Sequence, residues 1–391
     1  MRAGLTAAAG VLAAVLLWAG WLSGLPEVGR ALSLSALLGA AFGVVLQRSR
    51  FCFYCIARDF IQRREASGLY AVLIALAAGT LGYHAVFGAF LPVPGADRLP
   101  PGAHIGPVSV ALAVGAFVFG LGMRISGSCI SAHFYRIGEG ASGSSFALLG
   151  AAVGFALGFA SWNTLYLSLI QQAPVIWLPR HLGYGGSALL QCAALAALAW
   201  GVARLSRPDV AARDAGDATA DAWQVALRLR WPAAAGGLAV AFIAVIAYLR
   251  VAPLGVTAEL GSLARTAAFD AGWLPARLAG LDGFAGCATV VKQALLSNNG
   301  VFVLSLVAGA WAAALAAGAF KPRLPSAAQI GRNFAGGVLM GWGGMTALGC
   351  TVGTLLSGVM AGALSGWVFG ACCYAGIWAG LKLAPGRAAA A

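Results

Sequence analysis

Eight cysteines, at positions 52, 55, 129, 192, 287, 350, 372 and 373, are the most reactive side chains in this sequence of 391 residues. Only four histidines accompany them, with no H-E-x-x-H and no Cys/His array at zinc spacing, so no metal or other cofactor is expected. Cys192 lies within QCAALAALAW, and Cys372 and Cys373 lie in the last apolar stretch. In such settings cysteine serves as a small buried hydrophobe. Cys52 and Cys55 form a C-x-x-C pair behind QRSRF, where Arg48 and Arg50 can attract an anion. Cys129 and Cys350 differ from all of these, because each follows a glycine-rich helix end, GLGMRISGSC and GWGGMTALGC.

Glycine permits a helix to break tightly, and a short helix that starts after the break has first-turn amides without backbone partners. Those amides can hold an anion or a partly negative sulfur without burying a lysine. Hydroxyls gather at both breaks: Ser126, Ser128 and Ser131 around Cys129, and Thr346, Thr351 and Thr354 around Cys350. His133 can donate a hydrogen bond or relay a proton. Arg124 ends a glycine-rich helix, Asp59 stands beside Arg58, and Asp282 and Lys292 bracket Cys287. These charges form either a vestibule or structural pairs at the interface. The chemistry implied is a polar, sulfur-lined passage for an anion, with Cys52, Cys129, Cys350, Cys287, Arg50, Arg124, Ser128, His133 and Thr351 as its candidate contacts. The rival class is a membrane thiol–disulfide oxidoreductase using Cys52 and Cys55 with a quinone. A reducing compartment beside that pair disfavours a stable disulfide.

The elements that position these residues must lie in a membrane. Hydrophobic residues make up 60% of the chain and charged residues 9%, against about 25% charged in a soluble domain. Mean hydropathy is +0.85. Residues 333–381 run for 49 positions, and 140–179 for 40, without Asp, Glu, Lys or Arg. One crossing takes about 20 mostly apolar residues, so each run supplies more than one embedded segment. Soluble enzymes, disulfide scaffolds and disordered chains are excluded. The formal charge of +13 sits in short loops, with no basic helix or aromatic-basic module, so no nucleic-acid partner is expected. There is no P-loop, hence no internal ATPase.

Hydropathy predicts ten long helices near 3–22, 32–47, 68–91, 107–123, 143–170, 184–203, 230–250, 299–319, 329–347 and 360–381. The first resembles a signal peptide, but its length and the apolar segment close behind favour a membrane helix. Intervals near 48–66, 124–142, 282–298 and 348–360 are too short or broken for full crossings and are read as broken or re-entrant helices. Residues 206–225 are polar and read as a linker between a first membrane half, 1–205, and a second, 226–391. If the four short intervals return to the side they start from, 18 Lys and Arg gather on the N-terminal side against 7 on the other. The positive-inside rule then places both termini in the cytoplasm. QRSRFCFYCIARDF and GLDGFAGCATVVKQ occupy matching places in the two halves, as do VFGLGMRISGSC and LMGWGGMTALGC. They begin on opposite sides, which predicts an inverted repeat. The expected fold is therefore an all-α polytopic membrane protein.

The stretch RNFAGGVLMGWGGMTALGCTVGTLLSGVMAGALSGWVFG at 332–370 closely resembles the signature of the YeeE/YedE sulfur-transport family of bacterial inner-membrane proteins. QRSRFCF at 47–53 and LGMRISGSC at 121–129 also resemble family elements. The resemblance implies a non-enzymatic thiosulfate-uptake transporter in which cysteines hand the anion along by transient S–H···S contacts. It implies Cys129 and Cys350 as the central pair and Cys52 as a third relay; Cys287 is inferred from the repeat alone. The first motif reads GSCISAH where the family often has GGCTSGH, with serine and alanine at 128 and 132. That departure bears on passage width and substrate, and other sulfur or selenium species stay open. The implied partners are a small sulfur anion, membrane lipids and a separate cytoplasmic sulfur-carrier or sulfurtransferase protein.

Overall fold

The computed structural model describes residues 2–95, 98–207, 229–275, 277–281, 289–292, 294 and 296–383. The centre of the polar linker and the interval around Cys287 lie outside the described residues. Among the described residues the first seven helices are α1 (Arg2–Ser23), α2 (Gly29–Ser49), α3 (Phe53–Arg63), α4 (Ser67–Phe90), α5 (Val110–Ser126), α6 (Ile130–Gly138) and α7 (Gly143–Leu165). Seven more are described after them: α8 (Leu178–Leu205), α9 (Ala233–Arg250), α10 (Ala258–Asp270), α11 (Asn298–Ala316), α12 (Ala327–Thr346), α13 (Thr351–Met360) and α14 (Leu364–Leu383).

Each of the ten long segments expected from hydropathy is a helix. Among the described residues nine helices are long and apolar enough to cross a membrane alone, and α12 with α13, bent by 42°, is either one further broken span or a span followed by a re-entrant helix. The all-α polytopic fold follows from composition: in lipid every backbone N–H must be satisfied within its own segment, which a helix does. Three of the four short intervals contain a short helix, α3, α6 and α13. Helix α10 was not anticipated, because Glu259, Arg265 and Asp270 break its apolar pattern. Lys292 and Ser297 Oγ both engage the Glu259 carboxylate, so that charge is satisfied inside the fold.

Lipid supplies no hydrophobic drive between helices, so association depends on close backbone contact at small residues. On α2, Gly43 lies directly against the Leu306 carbonyl of α11, and Gly309 of α11 lies against that of Ala40. On α12, Gly337 and Gly341 meet the carbonyls of Ala147 and Ala151 on α7, while Gly154 of α7 meets that of Val338. Helix α5 also packs between α12 and α14, and α4 packs on α9. Helix α1 covers α2 and α11, α8 covers α4, α6 lies on α11 and α7, and α13 lies on α4 and α14.

Candidate functional site: a buried thiol cluster at broken helices

Cysteine 52 is the N-cap of α3, Cys129 of α6 and Cys350 of the helical turn that opens α13. The same local device sets each of them. Two residues before each cysteine the backbone is left-handed: Arg50 (φ 49°), Gly127 (φ 79°) and Leu348 (φ 55°). Arg50 and Gly127 are the C-caps of α2 and α5, Leu348 follows the C-cap Ala347 of α12, and each cysteine starts the next helix in extended conformation. Gly127 closes α5 by donating its N–H to the Met123 carbonyl at 2.9 Å, the common left-handed helix stop. Arg50 and Leu348 adopt the same conformation without glycine's freedom, which costs energy. The glycine of SGSC thus does the backbone work read from the sequence, Leu348 and Gly349 (φ 150°) share it before Cys350, and at Arg50 a non-glycine residue does it alone.

All three thiols are buried and belong to one apolar core. The Cys129 thiol donates to Cys52 Sγ at 3.9 Å. Ser131 Oγ lies 3.2 Å from Cys129 Sγ, and Ser128 Oγ lies 3.6 Å from Cys52 Sγ. The Cys55 backbone N–H donates to Cys52 Sγ at 3.4 Å, so a first-turn amide of α3 does point at the sulfur. The N-termini of α3 and α6, of 11 and 9 residues, therefore meet at a thiol pair. Positive helix ends and weak S–H and O–H donors converge there, a setting suited to an anion with a polarisable sulfur.

The candidate residues divide as follows. Cys52, Cys129 and Ser128 are brought together. His133 is buried on α6, with Nδ1 3.2 Å from Ser144 Oγ and with Nε2 buried and without a hydrogen-bond partner among the described residues. Cys350 and Thr351 are buried at the break between α12 and α13, where Thr354 Oγ1 donates to the Leu348 carbonyl at 3.2 Å. Arg124 is buried in the last turn of α5, its stem packed at Gly380 of α14. Arg50 points its side chain outward, and its contribution within the fold is the left-handed turn. Cys287 and Asp282 lie outside the described residues. Arg58 and Asp59 pair at 2.8 Å, and Lys292 pairs with Glu259.

Two residues escaped the sequence reading. Arg136 Nη2 donates to Cys55 Sγ at 3.5 Å, so the second cysteine of C-x-x-C is tied to α6. Its signal was spacing, since His133 and Arg136 are three apart and share a helix face. Thr257, buried, is the N-cap of α10 as Cys52 is of α3. Nothing local marks it as special.

Nine helices among the described residues, long and apolar enough to cross a membrane and some of them broken at buried cysteines, define a multi-pass membrane protein. The chain belongs to the sulphur-transport family, whose family model matches residues 48–379. It is 30% identical over 355 residues to the thiosulfate transporter TsuA of Spirochaeta thermophila, covering 85% of this chain and 92% of that one. It is 28% identical over 359 residues to the thiosulfate transporter TsuA of Escherichia coli K12, covering 88% and 92%. A shorter match, 33% over 85 residues and 22% of this chain, is to the probable transporter YedE of Salmonella typhimurium, of which it covers 21%.

Proposed function

We propose that this protein imports thiosulfate, or a closely related small sulfur anion, across the bacterial inner membrane along a path lined by cysteines. The observation that carries this reading is the buried contact at 3.9 Å between Cys129 and Cys52 where two helix N-termini meet. A terminal sulfur on the anion accepts weakly from a thiol, so each station holds it without trapping it. A buried lysine would bind a dianion far more tightly. Cys350 and Thr351, at the corresponding break of the second half, form the station facing the other side, and Cys287 is kept as a further station. His133 Nε2 offers a hydrogen-bonding atom beside the cluster.

The helix pairing supports an inverted repeat of two halves. Advancing each helix by seven places turns α2–α11 into α9–α4, α7–α12 into α14–α5, and α6–α11 into α13–α4. It also turns α1–α11 into α8–α4, and α5–α12 returns to itself. Seven helices with an odd number of crossings leave the second unit upside down. On this reading the units are α1–α7 and α8–α14, with the repeat boundary before α8 and the linker inside the second unit. The exchange matches Cys129 with Cys350, and Cys52 with Thr257 in place of the Cys287 segment that the sequence alone paired with it.

Import works against a negative-inside potential, about 2.3 kcal/mol per charge at 100 mV and so about 4.6 kcal/mol for a dianion. Co-transport, or capture by a separate cytoplasmic sulfur-carrier or sulfurtransferase protein, offsets that cost. The test is uptake of labelled thiosulfate into proteoliposomes by the wild type beside Cys129→Ser and Cys350→Ser. Uptake that is lost in folded variants places both thiols on the path. An intact wild type that takes up no thiosulfate, with or without an ion gradient, overturns the reading.

A further inference from the structure

A cavity of about 130 Å³ opens at the face that holds the α6–α7 turn and the α11–α12 loop. The Lys321 N–H donates to the Glu139 carbonyl at 3.0 Å, and Arg323 N–H to that of Gly140 at 3.0 Å, which ties these two segments into one wall. Arg58, Arg136, Arg323 and Arg332 all line the cavity, and no Asp or Glu is among its described lining residues. Arg58 is engaged by Asp59, and the guanidinium groups of Arg136 and Arg332 reach the same lining from two further helices. Asn333 and Gln329 add amide donors, and Arg332 Nε is buried without a hydrogen-bond partner among the described residues. Gathering guanidinium groups around a concavity raises the local concentration of anions, and their planar forks match the oxygens of a tetrahedral oxyanion. A water needs only about 10–15 Å³ of such volume, so the space admits a small oxyanion with some of its water.

Three threads run from this cavity to the thiol cluster. Arg136 lines the cavity and donates to Cys55 Sγ at 3.5 Å. Ser144 lines it and faces His133 Nδ1 at 3.2 Å. Ser126 lines it and donates to the Ser128 carbonyl at 3.0 Å, and Ser128 Oγ lies 3.6 Å from Cys52 Sγ. We infer that the arginine cavity is a second binding station for a doubly charged oxyanion, in series with the thiol cluster and on the arginine-rich side of it. The inference rests on the transport reading for its place in series, but its binding chemistry is its own. The thiols select for sulfur through weak contacts, whereas the arginines read charge and oxygen and are indifferent to sulfur. A transported anion leaving the thiols thus meets a well of positive charge from which dissociation depends on ionic strength.

Sulfate, which carries the charge and oxygens but no terminal sulfur, is the discriminating probe. Equilibrium dialysis of labelled sulfate against the full chain, purified in detergent free of anionic lipid, is compared for wild type, Arg332→Gln, Arg323→Gln and Cys129→Ser. Arg323 is exposed in a loop, so its variant guards against a folding defect at Arg332. The expected result is sulfate binding weakened by about tenfold in each arginine variant, the loss of one charge-assisted contact, and also by added salt. Cys129→Ser should leave it unchanged, and initial rates of thiosulfate uptake should fall in the arginine variants. Sulfate binding that survives both arginine changes overturns the inference while uptake by the wild type leaves the transport reading standing. Sulfate binding lost in the arginine variants of a protein that moves no thiosulfate keeps the site and overturns its place in series. Binding seen only for phosphatidylglycerol headgroups in vesicles assigns the cavity to lipid and overturns the inference.

Discussion

Cys52 and Cys55 are three residues apart yet face different partners. Cys52 Sγ is the point where Cys129, Ser128 and the Cys55 N–H converge, whereas Cys55 Sγ is held by Arg136. The contribution of Cys55 to the cluster is a backbone amide, which any residue but proline retains at that position. Cys52→Ala should therefore slow thiosulfate uptake by about tenfold, the loss of one weak donor–acceptor contact, and Cys55→Ser should leave most of it. Initial uptake rates in proteoliposomes measure both. A severe defect in Cys55→Ser with Cys52→Ala active would reverse the roles of the two thiols. The sequence made these cysteines legible as chemistry because of their glycine and hydroxyl neighbours. It did not reveal which thiol faces which, since the partners are contributed by α6 from far along the chain.

The helix breaks depend on backbone conformation more than on side-chain chemistry. Arg50 holds φ 49° with its side chain outward, so Arg50→Gly should preserve uptake and melting temperature, while Arg50→Val, β-branched, should strain the turn by about 1–3 kcal/mol. Thermal unfolding and uptake of the two variants distinguish this from a substrate contact, for which even Arg50→Gly would abolish uptake in a folded protein. The crossings make a second test. A Cβ at Gly341 would overlap the Ala151 carbonyl oxygen of α7, whereas one at Gly20 of α1 meets nothing within 4 Å. Gly341→Ala should cost about 1–3 kcal/mol by overpacking and lower the melting temperature; Gly20→Ala should be neutral. Equal melting temperatures would argue against backbone contact as the basis of the α7–α12 pairing. Long helices were legible because their charge-free runs are unambiguous. Helix α10 was not, because its Glu259 is satisfied by Lys292 and Ser297 and its Arg265 by the Thr289 carbonyl, residues that only folding brings to it.

Across the whole molecule, the face carrying the N-terminal end of α1 also carries the arginine cavity. Gly4 of α1 packs at Leu315, near the end of α11, just before the loop that forms one cavity wall. The concentration of Lys and Arg on that side predicts that it is cytoplasmic, with the C-terminus there too. A C-terminal green fluorescent protein fusion should fluoresce in cells and the matching alkaline phosphatase fusion should be inactive. The opposite pattern would invert the protein and turn the arginine cavity into an outward-facing mouth. The direction of flux through the thiols would then have to be re-examined with sided vesicles.

The sequence by itself determined that this is a many-helix membrane protein of the sulphur-transport family with cysteines at broken helices. Those features are local: a charge-free run of sufficient length has one stable form in lipid, and a glycine-rich break beside a cysteine occupies a single stretch of chain. The tertiary structure decided that Cys129 donates to Cys52, that Arg136 holds Cys55, and that arginines from four separate segments line one cavity. Each of these joins residues distant in sequence, and close helix packing at small side chains sets which of them meet.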